Sequence, residues 1–168
     1  MDKNFIYGIG KVTIGESEVG YIEKDSFDLG GTAGETVDIN AEQVPGAPVL
    51  QLVQKNGTIA PTFNLIQLNL DNIKNVLGGK IEGKKWLAPS ELINIQDKVK
   101  IETVSGAVID IKKASVTANL TGKLALTETA KIGVTLKVLI PDDKSNPFSI
   151  DFTENGSGSQ EESVVPEG

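Results

Sequence analysis

The sequence contains no histidine, no cysteine and no arginine, and its aromatic residues number one tryptophan, two tyrosines and five phenylalanines. Each absence excludes a class of chemistry. Without histidine or cysteine, the usual nucleophile–base pairs and most zinc sites cannot be built. Without cysteine there is also no disulfide framework and no thiolate. All sixteen positive charges are lysine, so planar bidentate clamps on phosphate or carboxylate are missing. The formal net charge of −7 is the wrong sign for a protein held on nucleic acid by counterion release. Glu154, Glu161, Glu162 and Glu167 fall in a C-terminal stretch with no lysine, so about half of that excess is local. No apolar run approaches the roughly 18 residues of a membrane helix, and MDKNFIYGIG has no apolar core of signal-peptide length. Synthesis in a reducing cytoplasm, with no membrane insertion by this chain, is the expectation.

What is present is alternation. From Ala114 to Pro141 the chain reads ASVTANLTGKLALTETAKIGVTLKVLIP. Val116, Ala118, Leu120, Leu124 and Leu126 share one parity. Ile132, Val134, Leu136, Val138 and Ile140 share another, with Ser, Thr, Asn and Lys between them. Period two over this length predicts half-buried strands. The polar residues 127–130 predict a short antiparallel turn. All ten apolar side chains are expected in the core, and such a hairpin needs a second sheet or a helix over it.

At 168 residues the chain suffices for one domain with a sizeable core. Residues 8–14 and 18–29 predict strands around a Gly15-Glu16-Ser17 turn, with Val12, Ile14, Val19, Tyr21 and Phe27 as core candidates. A third strand is expected over 35–41, followed by EQVPGAP, whose prolines and glycine mark a turn or excursion. Asn56-Gly57 is a strong hairpin signal between an apolar 49–53 and a strand over 59–68 whose start Pro61 weakens. Leu70, Ile73, Val76 and Leu77 follow helical spacing, with Asn69 or Asp71 to cap and Gly78-Gly79 to stop. Residues 80–85 read as a basic loop, and Trp86 as a core plug or subunit contact ahead of a ligand platform. Three short strands, 91–96, 99–104 and 107–113, are separated by Asp97-Lys98 and Ser105-Gly106. A last strand is expected over 148–152. Residues 1–7 form an arm, and 153–168 have the composition of an acidic tail. The fold class expected from these elements is all-β with one short α-helix.

Candidate chemistry is thin. Asp25 with Asp28 and Asp142 with Asp143 are acidic pairs without the spacing of a calcium loop, and read as solvated loop charges. Gly8–Gly10 and Gly30-Gly31 do not open a helix after a strand, so they are not phosphate loops. The sequons at Asn56, Asn119 and Asn155 carry no weight without a secretory signal. Lys80, Lys84 and Lys85, like Lys112-Lys113, read as solvated faces. No catalytic residue, metal site or cofactor is expected, and the chain reads as a structural or binding protein, not an enzyme.

Four stretches in order, VGYIEKDSFDLGG, VDINAEQVPGAPVL, NGTIAPTFNLIQLNLDNIKNVLGG and LTGKLALTETAKIGVTLKVLIP, resemble the tail tube (major tail) proteins of tailed bacteriophages. The resemblance runs from Phe5 to Pro141. It implies an antiparallel β-sandwich or partly closed barrel with one short flanking α-helix, and a hexameric ring in which neighbouring sheets form an inner β-barrel, with rings stacked into a hollow conduit for DNA. It also implies bridging of subunits and rings by a long loop and the terminal arms. By position these contacts fall on Phe5 and Tyr7, on Val44, Pro45, Gly46, Ala47 and Pro48, and on Asn56 and Gly57. The implied partners are the chain itself, other tail proteins (tape measure, terminator, baseplate or distal tail) and DNA only in transit; the implied location is the virion tail. The alternatives are a monomeric carbohydrate-binding or adhesin-like module, and the tube of a bacterial contractile injection or secretion machine.

Overall fold

The structure is a computed structural model, and it describes residues 5–91 and 93–152. The acidic segment 153–168, residues 1–4 of the arm and Leu92 lie outside the described residues. Alternating sequence becomes an antiparallel sheet of seven strands: β1 (Lys11–Ile14), β2 (Ser17–Glu18), β5 (Thr62–Leu65), β8 (Ile95–Glu102), β9 (Val108–Gly122), β10 (Ala130–Val138) and β11 (Phe148–Asp151). Their order is β2-β1-β8-β9-β10-β5, with β11 beside the first part of β9. The sheet curls into a half-barrel, and the described residues are mainly β with one short helix. Two further hairpins stand apart from the sheet, β3–β4 (Glu35–Ile39, Leu50–Lys55) and β6–β7 (Lys80–Glu82, Lys85–Leu87).

β9 is the axis of the fold. It pairs with β8 through Val108–Val116 on one edge; on the other it pairs with β11 and then with β10 from Ala114 to Gly122. Its inward parity changes midway, from Ile109 and Ile111 to Ala114 and Val116. The cause is a bulge: Asp97 and Val99 on β8 face Ala114 and Ile111, so Lys112-Lys113 supplies the extra residue. Asp97-Lys98 therefore does not separate two strands as expected but lies within continuous β8. The 107–113 strand likewise runs unbroken into the long hairpin. Ser105-Gly106 is a true turn, with Gly106 N–H donating to the Thr103 carbonyl at 3.2 Å.

The core fills the concave face with Val12, Ile14, Val19, Phe63, Leu65, Val99, Ile101, Ile111, Ile132, Val134 and Leu136. Phe27 stacks on Phe63 with ring centroids 5.5 Å apart. Residues 21–28, expected as strand, cover the outer edge of β5 irregularly. Glu23 N–H donates to the Asn64 carbonyl at 2.8 Å, and Asp28 exchanges backbone hydrogen bonds with Thr62. Tyr21, expected in the core, is exposed.

The helix α1 (Leu70–Leu77) matches its sequence signals. The Asn69 side chain accepts from Asn72 N–H at 2.8 Å, and Gly78 N–H donates to the Lys74 carbonyl at 2.9 Å. Val76 is buried, while Ile73 and Leu77 pack against the core. The expected basic loop at 80–85 is instead the β6–β7 hairpin. It places Trp86 against the helix end, where the indole N–H donates to the Gly78 carbonyl at 2.8 Å.

Candidate assembly surfaces

The β3–β4 hairpin is the first surface. Val37 pairs with Leu52 and Ile39 with Leu50, which puts four apolar side chains on one face. Asp38 and Gln51 lie on the other, joined by a 3.0 Å hydrogen bond. All four apolar residues are exposed. A two-stranded ribbon with an uncovered apolar face is marginal by itself in water. Val44, Pro45, Gly46, Ala47 and Pro48 form its exposed end; Val44 N–H closes a turn on the Ala41 carbonyl at 3.0 Å. Asn56-Gly57, expected to turn a hairpin, does not: β4 pairs back to β3 and β5 pairs with β10. The chain leaves Asn56-Gly57 through a Thr32–Thr58 bridge instead. The true loop of this hairpin spans residues 40–49, which contain Pro45 and Pro48.

The second surface is the far end of the β9–β10 hairpin. β8 stops opposite Val116, so residues 117–122 have a strand on one edge only among the described residues. The expected turn at 127–130 is a longer loop, 123–129. Gly122 ends β9 at φ 97, where a Cβ would lie 2.9 Å from the Thr129 carbonyl oxygen. Beyond it the alternation no longer faces a core. Leu120, Leu124, Leu126 and, past β10, Ile140 are exposed, contrary to their expected burial, whereas Val116, Ile132, Val134 and Leu136 are buried as expected.

Phe5 and Tyr7 make the third surface. Both are exposed, and Tyr7 is tied to the β8–β9 turn, its N–H donating to Ser105 Oγ at 3.2 Å. Behind Tyr7 a groove of about 650 Å³ runs between residues 6–11, the 20–29 segment and the adjoining ends of β8 and β9. The expected contact residues thus fall in three separate places: Val44 to Pro48 form the loop end of the β3–β4 hairpin, Asn56 and Gly57 follow its open end, and Phe5 and Tyr7 lie by the groove. The tip of β9–β10 was missed, because its leucines continue the strand alternation; Gly122 between Thr121 and Lys123 was the available signal that the strand ends.

Electrostatics here are structural. Lys131 donates to the Glu23 carboxylate, with Asn64 Nδ2 donating at 3.1 Å. The Lys131 bond, then Asn64, holds the Glu23 carboxyl below the usual carboxylate range. Lys98 does the same for Glu16 at 2.7 Å, and the Ser145 hydroxyl does so for Asp143. Asp142 pairs with Lys113 at 2.9 Å, and Asp28 accepts from Gly30 N–H at 2.7 Å, so neither acidic pair forms a joint site. Among the described residues no three His, Cys, Asp or Glu side chains gather as metal ligands, and no helix is long and apolar enough to cross a membrane. No protein-family model and no curated protein matches the chain.

Proposed function

We propose that this chain is a structural subunit that assembles with copies of itself into stacked, hexameric rings, the tail tube of a tailed bacteriophage, through which DNA passes. The observation that carries the reading is the β3–β4 hairpin, which offers Val37, Ile39, Leu50 and Leu52 on a face that no described part of the chain covers. The half-open edge of β9 over 117–122 supports it, since unpaired strand edges are satisfied by a neighbouring strand. An acidic, arginine-free composition suits a conduit that must not hold its cargo. On this reading the other partners are the tail proteins at either end of the tube and the tape measure, the location is the virion tail, and no catalysis is involved. The tube of an injection or secretion machine would use the same surfaces.

Negative-stain electron microscopy with light scattering across a concentration series tests it. Rings or hollow filaments are expected. Deleting residues 45–48 should leave a folded chain that no longer polymerises; loss of folding on that deletion would count against a bridging role. A second reading, a monomeric binding module, is favoured by the groove beside exposed Tyr7 and Tyr21. A monomer at every concentration, together with a ligand that protects those tyrosines, would replace the tube reading with that one.

A further inference from the structure

We infer that the tip of the β9–β10 hairpin docks head-to-tail: Leu124 and Leu126 of one copy enter the apolar groove at the other end of β9 in the next. This rests on the self-assembly reading and assigns its longitudinal contact. Leu124 and Leu126 are the most exposed large apolar side chains described, at 89% and 107% of full accessibility. They project from a loop beyond the last residue of the longest strand. The groove, lined by Tyr7, Ile9, Tyr21, Phe27, Leu29 and Ile109, has about 650 Å³ of space for them. The tip cannot reach the groove of its own chain. Ile109 and Gly122 lie on one continuous strand, and its residues between them span about 43 Å at about 3.3 Å per residue. A tip seated in this groove therefore belongs to another copy.

Charge points to a second copy as that occupant. The groove mouth carries Lys24 and Asp25, and the tip carries Lys123 and Glu128; all four are exposed. None has an ion-pair partner among the described residues. Lys24 with Glu128 and Asp25 with Lys123 leave no charge unmatched at the contact, which matters between copies that each carry −7. Rim pairs of this kind set register and orientation more than affinity. Tip and groove are different patches, so the contact is heterologous. It does not close as a twofold dimer would, and with tip and groove at opposite ends of β9 it repeats along that strand's direction.

The absence of cysteine makes the test direct. Double variants pairing Leu126→Cys with Tyr7→Cys, Tyr21→Cys or Leu29→Cys are oxidised, or bridged with a short bismaleimide, at concentrations where the parent assembles. Lys84→Cys with Leu126→Cys is the control, since Lys84 lies in the β6–β7 turn. A ladder of covalent multimers is expected from at least one groove pair, at ten times the control yield or more. Leu124→Asp/Leu126→Asp should abolish filaments while leaving the melting temperature and any single rings intact. Rings or filaments by microscopy with no ladder above control would overturn the tip–groove contact and leave the assembly reading standing. Neither assemblies nor a ladder at any concentration would overturn both. Filaments that persist in the double aspartate variant would overturn the contact alone.

Discussion

Leu136 and Leu126 occupy equivalent places in one alternating pattern, yet truncating each to alanine should have opposite consequences. Leu136 is 0% exposed, lies opposite Val116 in the β9–β10 ladder, and Leu126 is 107% exposed. Leu→Ala removes three carbons, a transfer loss of about 2.4 kcal/mol at about 0.8 kcal/mol each. A rigid surround adds a cavity term, bringing the expected cost for Leu136→Ala to about 3–4 kcal/mol. That is a large share of the roughly 5–15 kcal/mol holding a domain. Leu126→Ala should stay within about 0.5 kcal/mol, because no contact of the folded monomer is lost. Urea unfolding at a concentration where the chain is monomeric, followed by Trp86 emission, reads both. Trp86 is the single tryptophan and is anchored on the Gly78 carbonyl at 2.8 Å. With a slope of about 2 kcal/mol/M, the Leu136→Ala midpoint falls by roughly 1.5–2 M and the Leu126→Ala midpoint by less than about 0.3 M. A Leu126→Ala cost above about 1 kcal/mol at unchanged slope would show that the tip packs within the monomer. The argument from exposure would then fail.

Gly79 sits at φ 86, and a Cβ there would lie 2.3 Å from the Leu87 carbonyl oxygen. Gly79→Ala should therefore destabilise by more than about 1 kcal/mol and shift Trp86 emission in the folded state; an unchanged midpoint would contradict the clash. Asn72 is buried and donates from Nδ2 to the Gln67 carbonyl at 3.0 Å. Asn72→Leu should cost about 1–3 kcal/mol by leaving that carbonyl unpaired, and Asn69→Ala about 0.5–2 kcal/mol by loss of the helix cap; thermal melting by circular dichroism checks both. The Glu23 carboxyl is held below the usual carboxylate range by Lys131 first and Asn64 second. A depressed folded-state value means its contribution is present above the unfolded-chain value and is lost as pH falls through the folded one. The stability gap between the parent and Glu23→Gln should thus narrow from neutral pH to about pH 3; a gap that stays constant or widens would exclude the pair as its source.

Much of the fold is legible in the residues because local rules and the tertiary solution agree. The 70–77 helix has its cap, its stripe and its glycine stop, and all are used. Phe63, Leu65, Ile132, Val134 and Leu136 alternate, and their common face is the core. The parity change between Ile111 and Ala114 is also written in the sequence, but a polar pair such as Lys112-Lys113 or Asp97-Lys98 resembles a break as much as a bulge. Only the pairing of both flanking segments with the same neighbour separates the two. Asn56-Gly57 misleads for the same reason: turn chemistry states that the backbone can reverse, while the partner of each flanking strand decides whether a hairpin results.

The leucines of the β9–β10 tip were misread for a different physical reason, and it bears on the proposed function. Alternation tells which side chains share a face; it does not tell what covers that face. Leu124 and Leu126, and likewise Val37, Ile39, Leu50 and Leu52, have the pattern of core residues without a core over them in one chain. Scattered exposed leucines are ordinary on a soluble surface. Four apolar residues on one ribbon face and two at a projecting tip are contiguous, and contiguous apolar surface marks interaction sites. On the proposed reading the pattern is consistent at a larger scale than the monomer: the strands are patterned for burial, and another copy would supply the covering surface.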